Sequence, residues 1–410
     1  MVFLSQTKQD LINEKVLVAG GTGFIGSHVV RKLIAEGVSP ENIRVLYYPG
    51  SLTSAVDDLS VELYPLDILD KDSVPDAFQG FKYLFYLIGN TAMDNKSKKI
   101  QWLVNCEGVR NMLANSHAFE RIVYTSTINV LGSPNPVGSI GDEQSSPYVS
   151  VRPEVGKTIP KYHSFDSPED ILEFADAIHD GTAPKKWWKK IGIGYFDSKL
   201  AGQELVNRAF KNEGLPIVSV LPGQNYGAGD DLIGNGLYLL RIQTNSMPGY
   251  TKGGGDPCTH VTDEANGHYL AMLKGKLGEM YVVTGFEEDN LYLKNKLQII
   301  AEIIQEKEPD RKIKVPSFGI GRRVGWFVGA LFDFLSMFRD KPMPLGRSAI
   351  KAGSFTNFYT YRKAERDFGY TPTKTFRQAV EEMYDYYQEK GYLGLKDRIS
   401  LTESAPAKEE

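Results

Sequence analysis

"KVLVAGGTGFIGSHVVRKLIAEG", residues 15–37, carries the strongest structural signal in the chain. It opens with a short apolar run, "KVLVAG" (15–20), that reads as a buried strand. It closes with "GSHVVRKLIAEG" (26–37), whose apolar residues recur at helical spacing up to a stopping glycine. Between them stand Gly20, Gly21, Gly23 and Gly26. A turn that tight needs positive φ, and an approaching pyrophosphate needs backbone with no Cβ in its way. The helix that follows offers free N–H groups and a positive dipole end to an anion. Strand, glycine loop and helix in this order predict a dinucleotide-binding turn.

The pattern continues outward. "IRVLYY" (43–48), "VELYPL" (61–66), "YLFYLIG" (83–89), "RIVYTS" (121–126) and "PIVSVLPG" (216–223) read as further strands, and "LGEMYVVTG" (277–285) as one more. Apolar runs separated by helices predict an α/β chain with a Rossmann-type, doubly wound parallel sheet covered on both faces. A smaller, mostly helical C-terminal lobe is expected to follow. The expected organisation is an N-terminal extension (1–13), a nucleotide-binding domain (14–222) and a substrate lobe (223–395), with 277–285 returning to the sheet. A disordered tail (396–410) is expected to close the chain. An excursion rich in Pro, Gly, Ser and charge interrupts the first domain at about 134–194. Within it, "SPEDILEFADAIHDG" (167–181) predicts one helix, with Ser167 as N-cap, Pro168 in the first turn and Gly181 as the stop.

The bulk numbers narrow the function classes. The 410 residues are 41% apolar and 24% charged, ordinary for a globular protein, and the formal net charge of -4 gives no reason to expect nucleic acid. Cys106 and Cys258 lack metal-ligand spacing, so no metal is expected and a reduced, cytoplasmic setting is. The most apolar segment, "GWFVGALFDFLSMF" (325–338), is too short to span a bilayer and holds Asp333. It reads as core of the second lobe, with peripheral membrane or lipid contact as the other reading. "KKWWKK" (185–190) reads as a loop whose tryptophans pack on their own domain, with a cap over the cleft or a membrane contact as alternatives.

In a sheet of this kind an acidic residue after the second strand would bind the 2′-hydroxyl of NAD. Here "LYYPGS" (46–51) has no carboxylate before Asp57, which favours NADP(H) over NAD(H) and leaves Tyr48 and Ser51 as the neighbours. Asp67, after the third strand, either accepts from the adenine amine or caps a turn.

"GYFDSKLAGQELV" (194–206) places Tyr195 one helical turn before Lys199. A unit charge at about 4 Å in an effective dielectric near 20 is worth roughly 4 kcal/mol, enough to bring a phenol from about 10 to near neutral pH. A phenol so tuned is an effective acid/base. The other reading, a surface Tyr–Lys pair, loses ground because a dinucleotide turn stands upstream. "RIVYTSTINVLG" (121–132) adds Thr125, Ser126 and Thr127 at the carboxyl end of a strand, where ligands of parallel sheets bind. Thr127, the last of the three, is best placed to face the cleft.

With these residues in hand, the chain resembles an extended short-chain dehydrogenase/reductase of the NAD-dependent epimerase/dehydratase superfamily over about residues 14–395. "GGTGFIG", "LDILD", "YTSTINVLG", "YFDSK", "LPGQNYGAGD" and "HVTDEANGHYLAML" occur in the family's order. "YYPGS" and the C-terminal pattern look most like the dihydroflavonol reductase and 3β-hydroxysteroid dehydrogenase branch. The resemblance implies that Thr127 holds the substrate oxygen, Tyr195 is the acid/base, and Lys199 lowers its pKa and binds the nicotinamide ribose. It implies a cofactor site made of Gly20, Gly23, Phe24, Ile25, Gly26, Tyr48, Ser51, Asp67, Ile68, Leu87, Gly89, Asn105, Tyr195, Lys199, Pro222 and Gly223. The Thr127-to-Tyr195 separation is longer than the family's usual one because of the excursion. The expected function is hydride transfer between NAD(P) and a carbonyl or secondary alcohol of a small or lipid-like substrate. The alternatives are a nucleotide-sugar epimerase or dehydratase that retains its cofactor, and a non-catalytic NAD(P)-binding regulator. A homodimer is expected.

Overall fold

A computed structural model of the chain describes residues 2–134, 136, 138–148, 162–336, 338 and 346–395. The expected tail, 396–410, lies outside the described residues, as does 149–161 of the excursion. Six strands, β1 (Val16–Ala19), β2 (Ile43–Tyr47), β3 (Glu62–Pro65), β4 (Tyr83–Tyr86), β5 (Arg121–Thr125) and β6 (Ile217–Pro222), join the edge strand Met280–Val283 in one parallel sheet. The order is Met280–Val283, β6, β5, β4, β1, β2, β3. Chain direction across the sheet reverses between β1 and β4, and a crevice opens above their carboxyl ends.

Successive side chains of a strand point to opposite faces, and both faces here are covered. Leu17 and Ala19 join a core with Trp102, Tyr124 and Leu205 on one face. Val16 and Val18 join another with Val29, Leu33 and Tyr269 on the other. All four positions are buried, which explains the unbroken apolar run that marks β1. The helix Phe24–Ala35 begins two residues before the apolar periodicity suggests, because the glycine turn already has its last residue, Gly23, at the N-cap. An N-terminal helix, Val2–Asn13, buries Leu11 against this layer. The helix Pro168–His179 starts where the sequence places it: the Ser167 hydroxyl accepts from the Asp170 N–H at 3.1 Å.

After β6 the chain leaves the large sheet at Gly223. Gln224–Tyr226, Gly255–His260 and Asn290–Tyr292 form a second, three-stranded sheet. The helices Leu237–Gln243, Leu293–Lys307 and Phe376–Glu389 enclose a third core around Tyr226, Leu240, Ile300, Phe376 and Tyr387. The helix Arg322–Ser336 corrects the reading of 325–338 as lobe core. Its buried positions are Gly325 and Gly329, while Trp326, Phe327, Leu331 and Phe334 are exposed.

Candidate active site

The glycine loop crosses the crevice between β1 and β4. Gly20 has φ +85°, and a Cβ there would lie 3.0 Å from the Leu87 carbonyl carbon. A Cβ on Gly26 would strike the Gly20 carbonyl oxygen and come within 2.8 Å of the Gly21 Cα. Only glycines let loop and helix close this tightly. The turn is pinned by hydrogen bonds from the Gly20 N–H to Leu46 and from the Gly23 N–H to Gly20. No side chain caps the helix start at Gly23. Uncapped N–H groups beside a backbone cradle that any Cβ would fill fit a dinucleotide's pyrophosphate.

The remaining expected cofactor positions lie along the same carboxyl edge. Phe24 and Ile25 open the helix, and Tyr48 and Ser51 make an exposed turn after β2, with the Ser51 hydroxyl donating to the Tyr48 carbonyl at 2.8 Å. Asp67 accepts from the Leu69 N–H at 3.0 Å, so the turn-capping reading describes one of its oxygens. Ile68 is buried, its carbonyl accepting from the Asn111 amide at 2.8 Å. Leu87 and Gly89 follow β4, and Pro222 and Gly223 end β6. Asn105, in a single π-helical turn, Leu103–Glu107, binds the Asn90 N–H at 2.8 Å and carbonyl at 3.0 Å and donates to the Ser198 hydroxyl at 3.0 Å. One amide thus ties the loop after β4 to the helix Gly194–Glu213. Such π turns are frequent at functional sites.

The structure brings Thr127, Tyr195 and Lys199 together despite the intervening excursion. Thr127 stands beside the Tyr195 phenol, and Lys199 Nζ donates to the Thr125 carbonyl at 2.7 Å. Lys199 also lies over the Tyr124 ring, 4.9 Å from its centroid. The electrostatics differ from the expectation that the lysine brings the phenol to neutral pH. Burial pushes the Tyr195 phenol up, with the neighbouring Thr127 hydroxyl acting against it. Burial also pushes the Lys199 ammonium down to about 7. Helical spacing gave the shared face but not the aim: the ammonium points at the Thr125 carbonyl, so desolvation dominates both groups.

The excursion positions Tyr195 from the other side. Asp197 is fully buried, accepting from the Ser164 N–H at 3.1 Å, the Ser164 hydroxyl at 2.6 Å and the Gly192 N–H at 2.9 Å, with His163 Nδ1 at 3.2 Å. Burial alone would raise this carboxyl; His163 and the other partners hold it below the usual range. Tyr162 stacks on Phe196 at 4.9 Å and meets Phe355 at 4.5 Å. With Ile193 and Met93 they form an apolar cluster against which Tyr195 packs. Trp187 is buried against Trp102 and Phe174, and Trp188 is half-buried, so the tryptophans of "KKWWKK" pack on their own domain.

Several site residues escaped the sequence reading. Asn129 donates to the Thr127 hydroxyl at 3.1 Å from its side chain and accepts from the Tyr162 phenol at 2.7 Å. Asn357 reaches Asn129 at 3.5 Å and donates to Asp256 at 3.1 Å. Asp256 also accepts from Gln224 at 3.0 Å, and Lys296 donates to Gln224 at 2.8 Å. A buried polar chain therefore runs from the second lobe to the Thr127–Tyr195 pair. Only Asn129, two residues after Thr127, stood close enough in sequence to be suspected.

Residues 17–154 match the model of the 3-beta hydroxysteroid dehydrogenase/isomerase family. A putative dihydroflavonol 4-reductase from Synechocystis is 25% identical over 389 residues, covering 92% of this chain and 95% of the relative. A probable dTDP-glucose 4,6-dehydratase from Sinorhizobium fredii is 24% identical, covering 94% and 96%. The chain is thus similar, over nine-tenths of its length, to members of the NAD-dependent epimerase/dehydratase superfamily. The solved dTDP-glucose 4,6-dehydratase of Streptomyces venezuelae, which has NAD bound, shares its fold at a TM-score of 0.64 and 18% identity, covering 92% of this chain and 98% of that one. Members of this superfamily are dehydrogenases, dehydratases and epimerases that use a nicotinamide cofactor. Among the described residues of this chain, no group of three or more His, Cys, Asp or Glu could hold a metal ion.

Proposed function

We propose that this chain is an NAD(P)-dependent oxidoreductase of the extended short-chain type, acting on a carbonyl or secondary alcohol of an apolar, lipid-like substrate. The observation that carries the reading is the Thr127–Tyr195 hydroxyl pair set against the apolar cluster of Met93, Tyr162, Ile193, Phe196 and Phe355. Two hydroxyls converging beside aromatic and aliphatic side chains suit one polar oxygen on an otherwise apolar molecule. Thr127 holds that oxygen. Tyr195 gives it the phenolic proton during reduction and takes the proton back during oxidation. Burial keeps the phenol protonated, the form that reduction needs. Asn129 and Tyr162 hold the Thr127 hydroxyl in place. Lys199 holds the strand end at Thr125 and places a cation, when protonated, on the same helix face. A nicotinamide dinucleotide in the glycine loop supplies or accepts the hydride.

NADP(H) is the preferred form, because the turn after β2 presents Tyr48 and Ser51 with no carboxylate to repel a 2′-phosphate. The test is a panel of steroid, flavonoid and long-chain ketones assayed with NADPH and NADH. Net loss of nicotinamide absorbance on an apolar ketone, faster with NADPH, supports the reading. The likeness to a dTDP-glucose 4,6-dehydratase favours a second one, in which hydride is borrowed and returned. Turnover of a sugar nucleotide with no net change in nicotinamide absorbance would establish that reading instead.

A further inference from the structure

The helix Arg322–Ser336 is built inside out for a water-facing element. A surface helix normally turns its apolar stripe inward and its polar face to water. Here the inward positions are glycines. Gly325 lies against Ile350, and Gly329 lies against the Arg347 backbone, where a Cβ would approach to 2.8 Å. The outward positions are Val324, Phe327, Leu331, Phe334 and Leu335, spaced as one helical face, with Trp326 at its flank. Phe327 is 70% exposed, and Phe318 before the helix and Phe338 after it are 62% and 73% exposed. Eight of the seventeen exposed large apolar side chains among the described residues fall in the single stretch 318–338. Scattered exposed apolar residues are normal, but a contiguous patch of this kind marks an interaction surface.

The border of the patch is cationic although the whole chain carries a net charge of -4. Arg322 and Arg323 open the helix. Its one acidic residue, Asp333, is already taken by Arg347 at 2.8 Å. The adjoining platform is fixed by Ser348, which donates to Asn95 at 2.6 Å, and by Lys98, which donates to the Ile191 carbonyl at 2.8 Å. Lys99 stands over the Trp188 ring at 5.8 Å, beside the exposed Lys189 and Lys190. Exposed apolar aromatics with Arg322 and Arg323 at the head of the same helix match the chemistry of an interfacial helix on an anionic bilayer. They match a second copy of this chain poorly. A two-fold interface would gather the arginines of both copies into one patch, with the helix's one carboxylate already paired to Arg347.

We propose that this helix lies in the plane of an anionic lipid surface, with Phe327, Leu331 and Phe334 inserted among the acyl chains and Arg322 and Arg323 on the phosphates. No helix of the described residues is long and apolar enough to cross a membrane, so the contact is in-plane. The surface adjoins the catalytic groups: the next helix, Arg347–Ala352, carries Ser348 onto Gly192, whose N–H donates to the Asp197 carboxylate behind Tyr195. The inference stands on the exposed face and its charge, independently of the substrate assigned above.

The experiment is sedimentation of the full chain with vesicles of phosphatidylcholine alone and of phosphatidylcholine mixed with phosphatidylglycerol. The wild-type chain is expected to pellet with the mixed vesicles and more weakly with the neutral ones. Phe327→Glu/Phe334→Glu should weaken partition by about tenfold or more while leaving circular dichroism and the thermal midpoint unchanged, since both positions are exposed. Arg322→Glu/Arg323→Glu should remove the preference for anionic lipid. Brominated lipid should quench tryptophan emission in the wild type and lose that effect in Trp326→Phe. Absence of wild-type partition, or unchanged partition by the Phe327/Phe334 variant, overturns the proposal. So does sedimentation velocity showing that the wild type self-associates through this face without binding vesicles and that the variant is monomeric.

Discussion

Replacing Lys199 by Met should make the cofactor-free protein more stable, most of all below about pH 7 and still substantially at neutral pH. Lys199 is 4% exposed, and its pKa falls from the ordinary 10.5 to about 7 because burial strips water from the ammonium. At 1.36 kcal/mol per pH unit, that change corresponds to roughly 5 kcal/mol of unfavourable free energy for holding the charged form in the folded state. Unfolded, the side chain binds its proton up to about pH 10; folded, it releases it near 7. Between those values the unfolded chain carries more protons, so wild-type stability rises with pH from this group and the penalty is fully present below about 7. Methionine has a similar length and no charge. It forfeits the hydrogen bond to the Thr125 carbonyl, worth about 1 kcal/mol, and the lysine is only half protonated at pH 7, so a net gain of about 3 kcal/mol is expected there. The gain should vanish as the pH approaches about 10. Urea unfolding of both proteins across that range measures it. A variant less stable than wild type near neutral pH, or a pH slope shared by both proteins, refutes the account of a lysine held at a thermodynamic cost for its chemistry.

Tyr195→Phe keeps the ring and its packing on Phe196 but removes the transferable proton; turnover should fall about a hundred- to ten-thousand-fold while cofactor titration is unchanged. Near wild-type turnover would return Tyr195 to a structural role. Gly26→Ala drives a methyl group into the Gly20 carbonyl and should cost about 1–3 kcal/mol of stability and at least about tenfold in dinucleotide affinity, read by calorimetry. Trp187→Ala empties a site lined by Trp102 and Phe174 and should cost about 3–5 kcal/mol, with half-buried Trp188→Ala costing less than half of that; equal thermal midpoints would place Trp187 outside the core.

The sheet was legible because strands buried on both faces leave continuous apolar runs, as β1, β4, β5 and β6 do, whereas the edge strand β3 is largely exposed and was marked mainly by its place in the alternation. The glycine turn was legible because its geometry excludes other residues. Tyr195 and Lys199 were legible as a pair, but the sign of their electrostatics was not. Spacing along a helix shows which groups share a face, whereas their pKa values depend on what the fold buries with them. Asn357 and Asp256 left no trace because a lone polar residue has no pattern until the fold brings its partner from far along the chain, 228 residues in the case of Asn357 and Asn129. The segment 325–338 misled for a related reason: periodicity shows that a helix has an apolar face, not which way that face points.

The chain of amides that ends at Thr127 also bears on how the protein is made. Its inner links, Thr127 and Asn129, and the neighbouring Tyr195 are all synthesised within the first half of the chain, and the glycine loop precedes them. Asn357 and Phe355, which close the substrate side, emerge only near the end. A nascent chain can therefore complete its dinucleotide cradle while its reaction chamber still lacks a wall. Early cofactor capture would guide the growing sheet, and chemistry would wait until the last helices dock.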